Sequence, residues 1–332
     1  MRNDLVLVVS LPYCNLNCIY CRKPEQKVIA ENTLKKGELL EIIKAAEQAG
    51  VRKIRWTGGE ATVNKGFLEM VKRTKELGIK EQFLSTNGTI LFSIAEKARK
   101  AGINRVNISL DSLDRKKFMQ ITGFDLLPNV LKSINVAAKV FDLVKINTVL
   151  TKSNLKDCLK IISFLEMLVK VNSISTKRVC VKFLELIPGG YEGDKEFVEE
   201  QFLPASQITR KIKEKFGGIE KAQVPGTNPM THYFKIKSNG IVFGLTLRQT
   251  INLQCCGEKC KELRLSPTGV MSNCITYRDF GRKLKGKSFQ HKVELIEEII
   301  KEKESWGKEF FSKRKCLLTD FSFWKFGLPS TN

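Results

Sequence analysis

The chain has 332 residues, 42% of them hydrophobic, enough for one large α/β domain with an appendage or for two ordinary domains. The longest apolar run near the N-terminus, Leu5 to Val9, is strand-length and far short of the ~20 residues of a spanning helix, and no leader segment is visible; a soluble, cytoplasmic protein without membrane partners is expected. A formal charge of +22 attracts phosphate-bearing ligands, but it is spread over many helical surface positions and no nucleic-acid-binding motif accompanies it, so nucleic acid is not an expected partner.

Residues 5–10 read as a buried strand. After a cysteine loop, Leu39, Ile42, Ile43 and Ala46 recur at helical spacing until Gly50, and residues 51–56 read as a second strand. A helix carrying Phe67, Met70 and Val71 stops at Gly78, and a strand runs through Phe83 and Leu84. The next helix, from about Ser93 to Ala101, ends at Gly102 and gives way to a strand over 105–110. Ala49-Gly-Val, Leu77-Gly-Ile and Ala101-Gly-Ile thus repeat one event: helix end, left-handed glycine, strand start. Strands over 144–150 and 179–187 follow, with helices before, between and after them. Such alternation implies a parallel sheet with right-handed crossovers. Six units fit by residue 187, which leaves an open partial barrel or a doubly wound sheet, and both place ligands at the C-terminal strand ends. Beyond Pro188-Gly-Gly190 the pattern changes to a helix over 205–216 and short strands from Tyr233 to Leu247 around a turn at Ser238-Asn-Gly240. An amphipathic helix over 291–303 comes last. The loosening at Gly217-Gly218 and Pro225-Gly226 places a domain boundary between regions 1–224 and 225–332.

Ten cysteines in a reducing compartment read as ligands or as small buried apolar residues rather than disulfides. Cys158 and Cys180, standing alone, are expected in the core. Cys14, Cys18 and Cys21 follow the first strand, with Tyr20 between the last two. Three thiolates are one too few to saturate a cubane cluster, which leaves one iron open to a ligand's amino and carboxylate groups. The alternative is zinc, which needs a fourth ligand, and the only histidines are His232 and His291. Cys256, Cys260 and Cys274, with Cys255 adjacent, flank a hairpin over 262–271 that turns at Pro267-Thr-Gly269 and should bring Cys260 close to Cys274. Spacing alone makes this a metal site without choosing the metal.

Cys14-x3-Cys18-x2-Cys21, followed by Thr57-Gly-Gly-Glu60, Ser85-Thr-Asn-Gly88 and Ser109-Leu-Asp111 at successive strand ends, resembles the radical S-adenosylmethionine superfamily. With the second cysteine group, Val106-Asn-Ile-Ser-Leu-Asp-Ser-Leu-Asp114, Ile121-Thr-Gly123, Lys145-Ile-Asn147, Phe183-Leu-Glu185 and Leu263-Arg-Leu265, residues 5 to about 285 resemble the GTP 3′,8-cyclase family of molybdenum-cofactor biosynthesis. The resemblance implies a partial (β/α)6 TIM-like barrel closed by a C-terminal α+β domain. It implies two [4Fe–4S] clusters, a catalytic one on Cys14, Cys18 and Cys21 and a second on Cys256, Cys260 and Cys274. S-adenosylmethionine would be held by Tyr20, Gly58, Gly59, Glu60, Thr86, Asn87, Ser109 and Ile187. Its one-electron cleavage would yield a 5′-deoxyadenosyl radical that takes the ribose 3′-hydrogen of GTP, after which the carbon radical adds to guanine C8. On the substrate side the resemblance implies Lys53, Arg55, Thr57, Lys145 and Lys182 at the phosphates and Arg264 near the base, with the open iron of the second cluster on the guanine. A reducing electron donor is implied, and a homodimer is an admissible assembly. Leu7 and Glu262 stand where the family carries arginines, Lys182 replaces another, x3 replaces x2 between Cys256 and Cys260, and the ending Gly327-Leu-Pro-Ser-Thr-Asn332 has no Gly-Gly. These departures bear on the substrate rather than on the radical chemistry. Radical enzymes acting on a peptide or another non-GTP substrate, which also carry cysteine-rich C-terminal extensions, are the alternative.

Overall fold

Strand and helix alternate in the first half of the chain because apolar residues alternate with period two in one segment and recur every three to four residues in the next. The computed structural model describes residues 4–21, 32–186, 194–224, 231–246, 261–273 and 281–305. Its elements run β1 (Val6–Leu11), α1 (Lys36–Gln48), β2 (Lys53–Gly58), α2 (Phe67–Glu76), β3 (Glu81–Thr86), α3 (Leu91–Ala101), β4 (Ile103–Ser109), α4 (Arg115–Thr122), α5 (Leu127–Val140), β5 (Leu143–Leu150), α6 (Leu155–Val171) and β6 (Val179–Glu185). The three repeated helix ends behave as the pattern requires: Gly50, Gly78 and Gly102 adopt φ of 99°, 95° and 131°, a region closed to most side chains.

The second half adds α7 (Asp194–Gln201), α8 (Ala205–Phe216), β7 (Ile219–Ala222), β8 (Thr231–Ile236), β9 (Val242–Thr246), β10 (Glu262–Leu265), β11 (Val270–Ser272), β12 (Arg282–Lys283) and α9 (Phe289–Ser305). The described strands form one 12-stranded sheet in the order β12-β11-β10-β1-β2-β3-β4-β5-β6-β9-β8-β7. The later strands extend it at both edges: β10 pairs parallel with β1 and β9 parallel with β6, while β7, β8, β11 and β12 continue as antiparallel strands. Across the expected boundary at 224/225, β7 and β8 are neighbours in this sheet. Helix α9 returns to α1, where Lys292 Nζ meets Glu41 Oε1 at 2.8 Å and Lys44 lies 5.5 Å from the centre of the Phe289 ring.

One face of the sheet is apolar and covered by helices. Leu7, Ile54, Trp56, Val106, Ile108, Ile146, Val181 and Phe183 all belong to that core. Leu7 is among them, fully buried and in register with Ile54 and Leu263, so it faces the helix layer. The opposite face carries Lys53, Arg55 and Thr57 on β2 and Lys145 on β5, all half-buried. The sheet curls around this second face. Strands in a flat sheet are spaced about 4.8 Å apart, so β2 and β6 would lie on the order of 19 Å from each other. Yet Lys182 of β6 responds to the charges of Arg55 on β2 and Glu262 on β10. The curl stops short of closure, leaving an incomplete (β/α)6 barrel whose polar interior is enclosed by strands on most sides. No helix among the described residues is long and apolar enough to cross a membrane.

Trp56 anchors the helix-facing side. It is fully buried, its ring meets Phe67 edge-on at 5.9 Å, and its Nε1 donates to Gln82 Oε1 at 2.8 Å. Replacing Trp56 with Ala should lower stability by about 3–5 kcal/mol, read as a drop in the urea midpoint of the full chain without a change in slope.

Candidate active site

The cysteine loop leaves the C-terminal end of β1 and lies against two other strand ends. Gly59 N donates to Leu11 O at 2.9 Å and Glu60 N to Tyr13 O at 2.6 Å. A Cβ on Gly58 would come within 2.1 Å of Leu11 O, and one on Gly59 within 2.4 Å of Tyr13 O and 2.8 Å of Cys14 Cβ. The sequence suggests that these glycines let backbone approach a ligand; in the structure what approaches them is the cysteine loop itself. On its other side the loop docks on the end of α4, where Asn17 N donates to Thr122 O and Ile19 N to Ile121 O, both at 2.9 Å. Tyr20, between Cys18 and Cys21, donates its hydroxyl to Asp111 Oδ2, and Val149 N donates to Asp111 Oδ1 at 2.7 Å. Burial lifts the Asp111 carboxyl to about 6 against those two donors.

Two of the three thiols, Cys14 and Cys18, are tuned by their setting. Burial pushes Cys18 up to about 12, helped by the charges of Asp111, Cys21 and Cys14, and burial also raises Cys14 while the Leu16 N–H opposes it. Thiolates are stable there only beside positive charge, which iron supplies. No group of three His, Cys, Asp or Glu among the described residues is gathered for a single metal ion. A cubane, by contrast, binds one iron per thiolate, and the mutual influence of these thiols suits it. Cys158 and Cys180 are fully buried in the protein interior.

Glu60 ties the ends of β2 and β3 together. Its Oε1 accepts from Thr62 N at 3.0 Å, Thr62 Oγ1 at 2.5 Å and Thr86 Oγ1 at 2.7 Å, and its Oε2 accepts from Asn87 N at 2.5 Å. Burial raises its pKa against these donors. Asn87 Nδ2 then donates to Asn15 Oδ1 at 2.8 Å, joining this network to the cysteine loop. Ser109 is exposed at the end of β4, in register with Asn147 of β5. Asn147 Oδ1 is a buried acceptor with no partner among the described residues, an arrangement that suits a hydroxyl or amino group of a bound nucleoside. Glu60, Thr86 and Asn87 thus adjoin the cysteine loop and Ser109 ends the next strand, whereas Ile187 lies outside the described residues, as do Cys255, Cys256, Cys260 and Cys274.

The cations lie lower on the same interior face, at the first to fourth positions of their strands. Lys53 opens β2 and Lys145 is the third residue of β5, so both stand in the N-terminal half of their strands. Lys53 Nζ pairs with Asp4 at 3.1 Å and with Glu81 at 3.4 Å, and Arg105 shares Glu81 at 3.3 Å. Arg55 Nη1 and Arg264 Nη2 both donate to Glu262, at 2.6 Å each, one to either oxygen. Although burial acts to raise it, Arg55, Arg264 and Lys182 hold the Glu262 carboxyl down at about 2. Burial lowers Lys182 to about 8 and Lys145 to about 7, with neighbouring cations adding to both shifts. Lys145 Nζ lies 3.5 Å from Tyr233 Oη and 5.7 Å from its ring centre. Thr57 is half-buried at the cysteine end of β2, in register with Ser10. The triad on Glu262 and the roles of Asp111, Asn15 and Asn147 are absent from the sequence-based reading. Asp111 and Asn147 stand inside recognised motifs, but only the fold shows their partners or lack of them.

Residues 8–165 match the radical SAM superfamily. The chain is 35% identical over 267 residues to a probable GTP 3′,8-cyclase of Pyrococcus abyssi, covering 80% of this chain and 82% of that protein. It is 31% identical to a probable GTP 3′,8-cyclase of Sulfurisphaera tokodaii, covering 86% and 87%. Among solved structures, Streptococcus suis SuiB bound to S-adenosylmethionine aligns with a TM-score of 0.57 at 16% identity over 86% of this chain, which spans 64% of that one. AnSMEcpe with bound AdoMet aligns at 0.56 and 17% identity, covering 94% and 88%. These two likenesses bear on the fold, and the sequence likenesses, extending over most of the chain, bear on the family. A thiol loop at one end of a partial barrel and cations at the other, on a chain with these relatives, lead to one conclusion: the protein is a radical SAM enzyme belonging to the GTP 3′,8-cyclase family.

Proposed function

We propose that this enzyme converts GTP to 3′,8-cyclo-7,8-dihydro-GTP in molybdenum-cofactor biosynthesis, using S-adenosylmethionine and two [4Fe–4S] clusters. The observation that carries the reading is the two-level interior: Cys14, Cys18 and Cys21 emerge at the C-terminal strand ends, and Arg55, Lys145, Lys182 and Arg264, each third or fourth in its strand, converge below them. From Arg55 to Gly58 the chain climbs about 10 Å at strand rise, a span suited to a nucleoside above and phosphates below. The division into a barrel, 1–224, and a C-terminal region, 225–332, belongs to the same proposal, the second region bringing Cys256, Cys260 and Cys274 to the base. A reducing electron donor and a cytoplasmic setting complete it.

When bound, the first cluster and S-adenosylmethionine supply a one-electron, reductive start to C–H chemistry. The chain's own residues hold and orient. Cys14, Cys18 and Cys21 bind the iron, and Tyr20 fixes their loop through Asp111. Gly58 and Gly59 allow the loop to sit directly on β2, and Glu60, Thr86, Asn87 and Ser109 line the adjoining strand ends. Lys145 and Lys182 meet phosphate oxygens as point charges. Fixed geometry matters because a carbon radical reacts with whatever lies nearest.

Anaerobically reconstituted protein given S-adenosylmethionine, reductant and GTP should form 5′-deoxyadenosine and a cyclic GTP-derived product in equal amounts. Deoxyadenosine without that product would overturn the substrate and favour a non-GTP ligand. Substituting Ala for Cys14, Cys18 or Cys21 should abolish deoxyadenosine formation.

The lysines set a pH dependence. Lys145 and Lys182, lowered to about 7 and about 8, lose their protons as pH rises through that range. KM for GTP should therefore rise roughly ten-fold between about pH 6.5 and 9, measured at saturating S-adenosylmethionine. The sign for folding is opposite. The unfolded chain, with lysines at their ordinary 10.5, binds more protons between about 7 and 10.5, so these two residues make the fold more stable as pH rises there.

A further inference from the structure

Glu262 occupies ground that a phosphate would use. It is the first residue of β10, in register with Val6, and Val6 is in register with Lys53 on the other side of β1. This places it beside Arg55 and near Lys182 on the polar interior of the sheet. Each carboxylate oxygen accepts a guanidinium N–H at 2.6 Å, one from Arg55 and one from Arg264. These are the short, charge-assisted bonds that guanidinium groups make to phosphate oxygens. The side chain is nearly buried, at 9% exposure, and the two arginines are at 24% and 28%.

Two cations in the same group make no direct bond to that anion. Lys182 makes no hydrogen bond or ion pair among the described residues, and Lys145 has only the long contact to Tyr233 Oη, at 3.5 Å. Arg55 also keeps a buried Nε with no partner among the described residues. The cluster is therefore half neutralised from within: each arginine is bonded to the protein's own anion, and the lysines are not.

We infer that Glu262 is a specificity-determining residue, a built-in anion that competes for Arg55 and Arg264 and limits how much of a polyphosphate chain the site holds. This rests on the reading of the cationic cluster as a phosphate subsite. A carboxylate tethered on β10 is present at high effective concentration. A ligand phosphate engages Lys145 and Lys182 directly but must displace that carboxylate to reach the guanidiniums. The affinity gained from each added phosphate is thus small while Glu262 is present and large once its charge is removed.

The test is equilibrium dialysis of inorganic pyrophosphate and tripolyphosphate against the full, cluster-reconstituted chain, comparing wild type with Glu262→Gln and Glu262→Ala. Wild type should bind tripolyphosphate no more than about three-fold tighter than pyrophosphate, and both variants should bind tripolyphosphate at least about ten-fold tighter than wild type does. Unchanged or weaker tripolyphosphate binding in folded variants would overturn the inference, as would equal gains for both polyphosphates. Loss of the fold in both variants would also overturn it, because the carboxylate would then be a structural clamp. These ligands lack a nucleoside, so their binding is read whether or not GTP is turned over. Failure of the cyclase reading appears in the product assay, and failure of the Glu262 assignment appears in chain-length discrimination.

Discussion

Strand β1 is hydrogen-bonded along both edges, to β2 on one side and to β10 on the other, parallel in each case. A strand so placed has no freedom to shift register, since a slip by one residue would exchange its core face for its polar face. The loop that leaves its C-terminal end therefore starts from a fixed point and a fixed direction. The β10 pairing crosses some 250 residues of sequence and sets Glu262 and Arg264 against the arginine of β2. The cysteine loop and the ion triad are thus two ends of one constraint, and the distance between them is the length of the strand.

That constraint separates two electrostatic environments inside a single barrel. At the loop end the buried groups are thiols and carboxyls held by neutral donors: Asp111 by Tyr20 and Val149, Glu60 by Thr62, Thr86 and Asn87. Burial dominates there and raises pKa values, leaving a place in which positive charge is welcome. At the far end guanidinium and ammonium groups predominate, and the Glu262 carboxylate among them is driven down to about 2. A ligand with an anionic tail has only one favourable orientation between these fields. Orientation is thereby set by the barrel before any specific contact to a base is made.

Much of this was legible in the chain. The repeated glycine endings and the alternating periods specify the strand–helix units, because helix termination and strand burial are local events. Cys14, Cys18 and Cys21 were readable for the same reason, being close in sequence. The interior was harder. Lys53 and Arg55 are two residues apart on one strand, yet Lys53 is taken by Asp4 and Glu81 while Arg55 belongs to the triad. Only the pairing of β2 with β1 and β3, and of β1 with β10, decides that difference. Gly58 and Gly59 signal close approach from sequence alone, but whether ligand or backbone approaches depends on where the cysteine loop folds back. Leu7 looks like a lost cation in the sequence, and its inward-or-outward sense follows only from the register that puts it beside Ile54.

Buried ion pairs are seldom kept for stability. Desolvating the charges costs about as much as their attraction returns, and apolar replacements of similar volume often do as well. Arg55, Glu262 and Arg264 must therefore be weighed by what they do to neighbouring charges. Without the carboxylate, four cations would share a poorly solvated interior, and Lys182, whose ammonium form Glu262 favours, would be pushed still lower than about 8. With it, Lys182 retains enough proton affinity to be cationic near neutral pH while the arginines stay aligned. A polyanion entering this space exchanges one set of opposite charges for another rather than neutralising a bare positive cavity. The site is consequently balanced before binding, and its preference among anions is set by the difference between two well-matched arrangements.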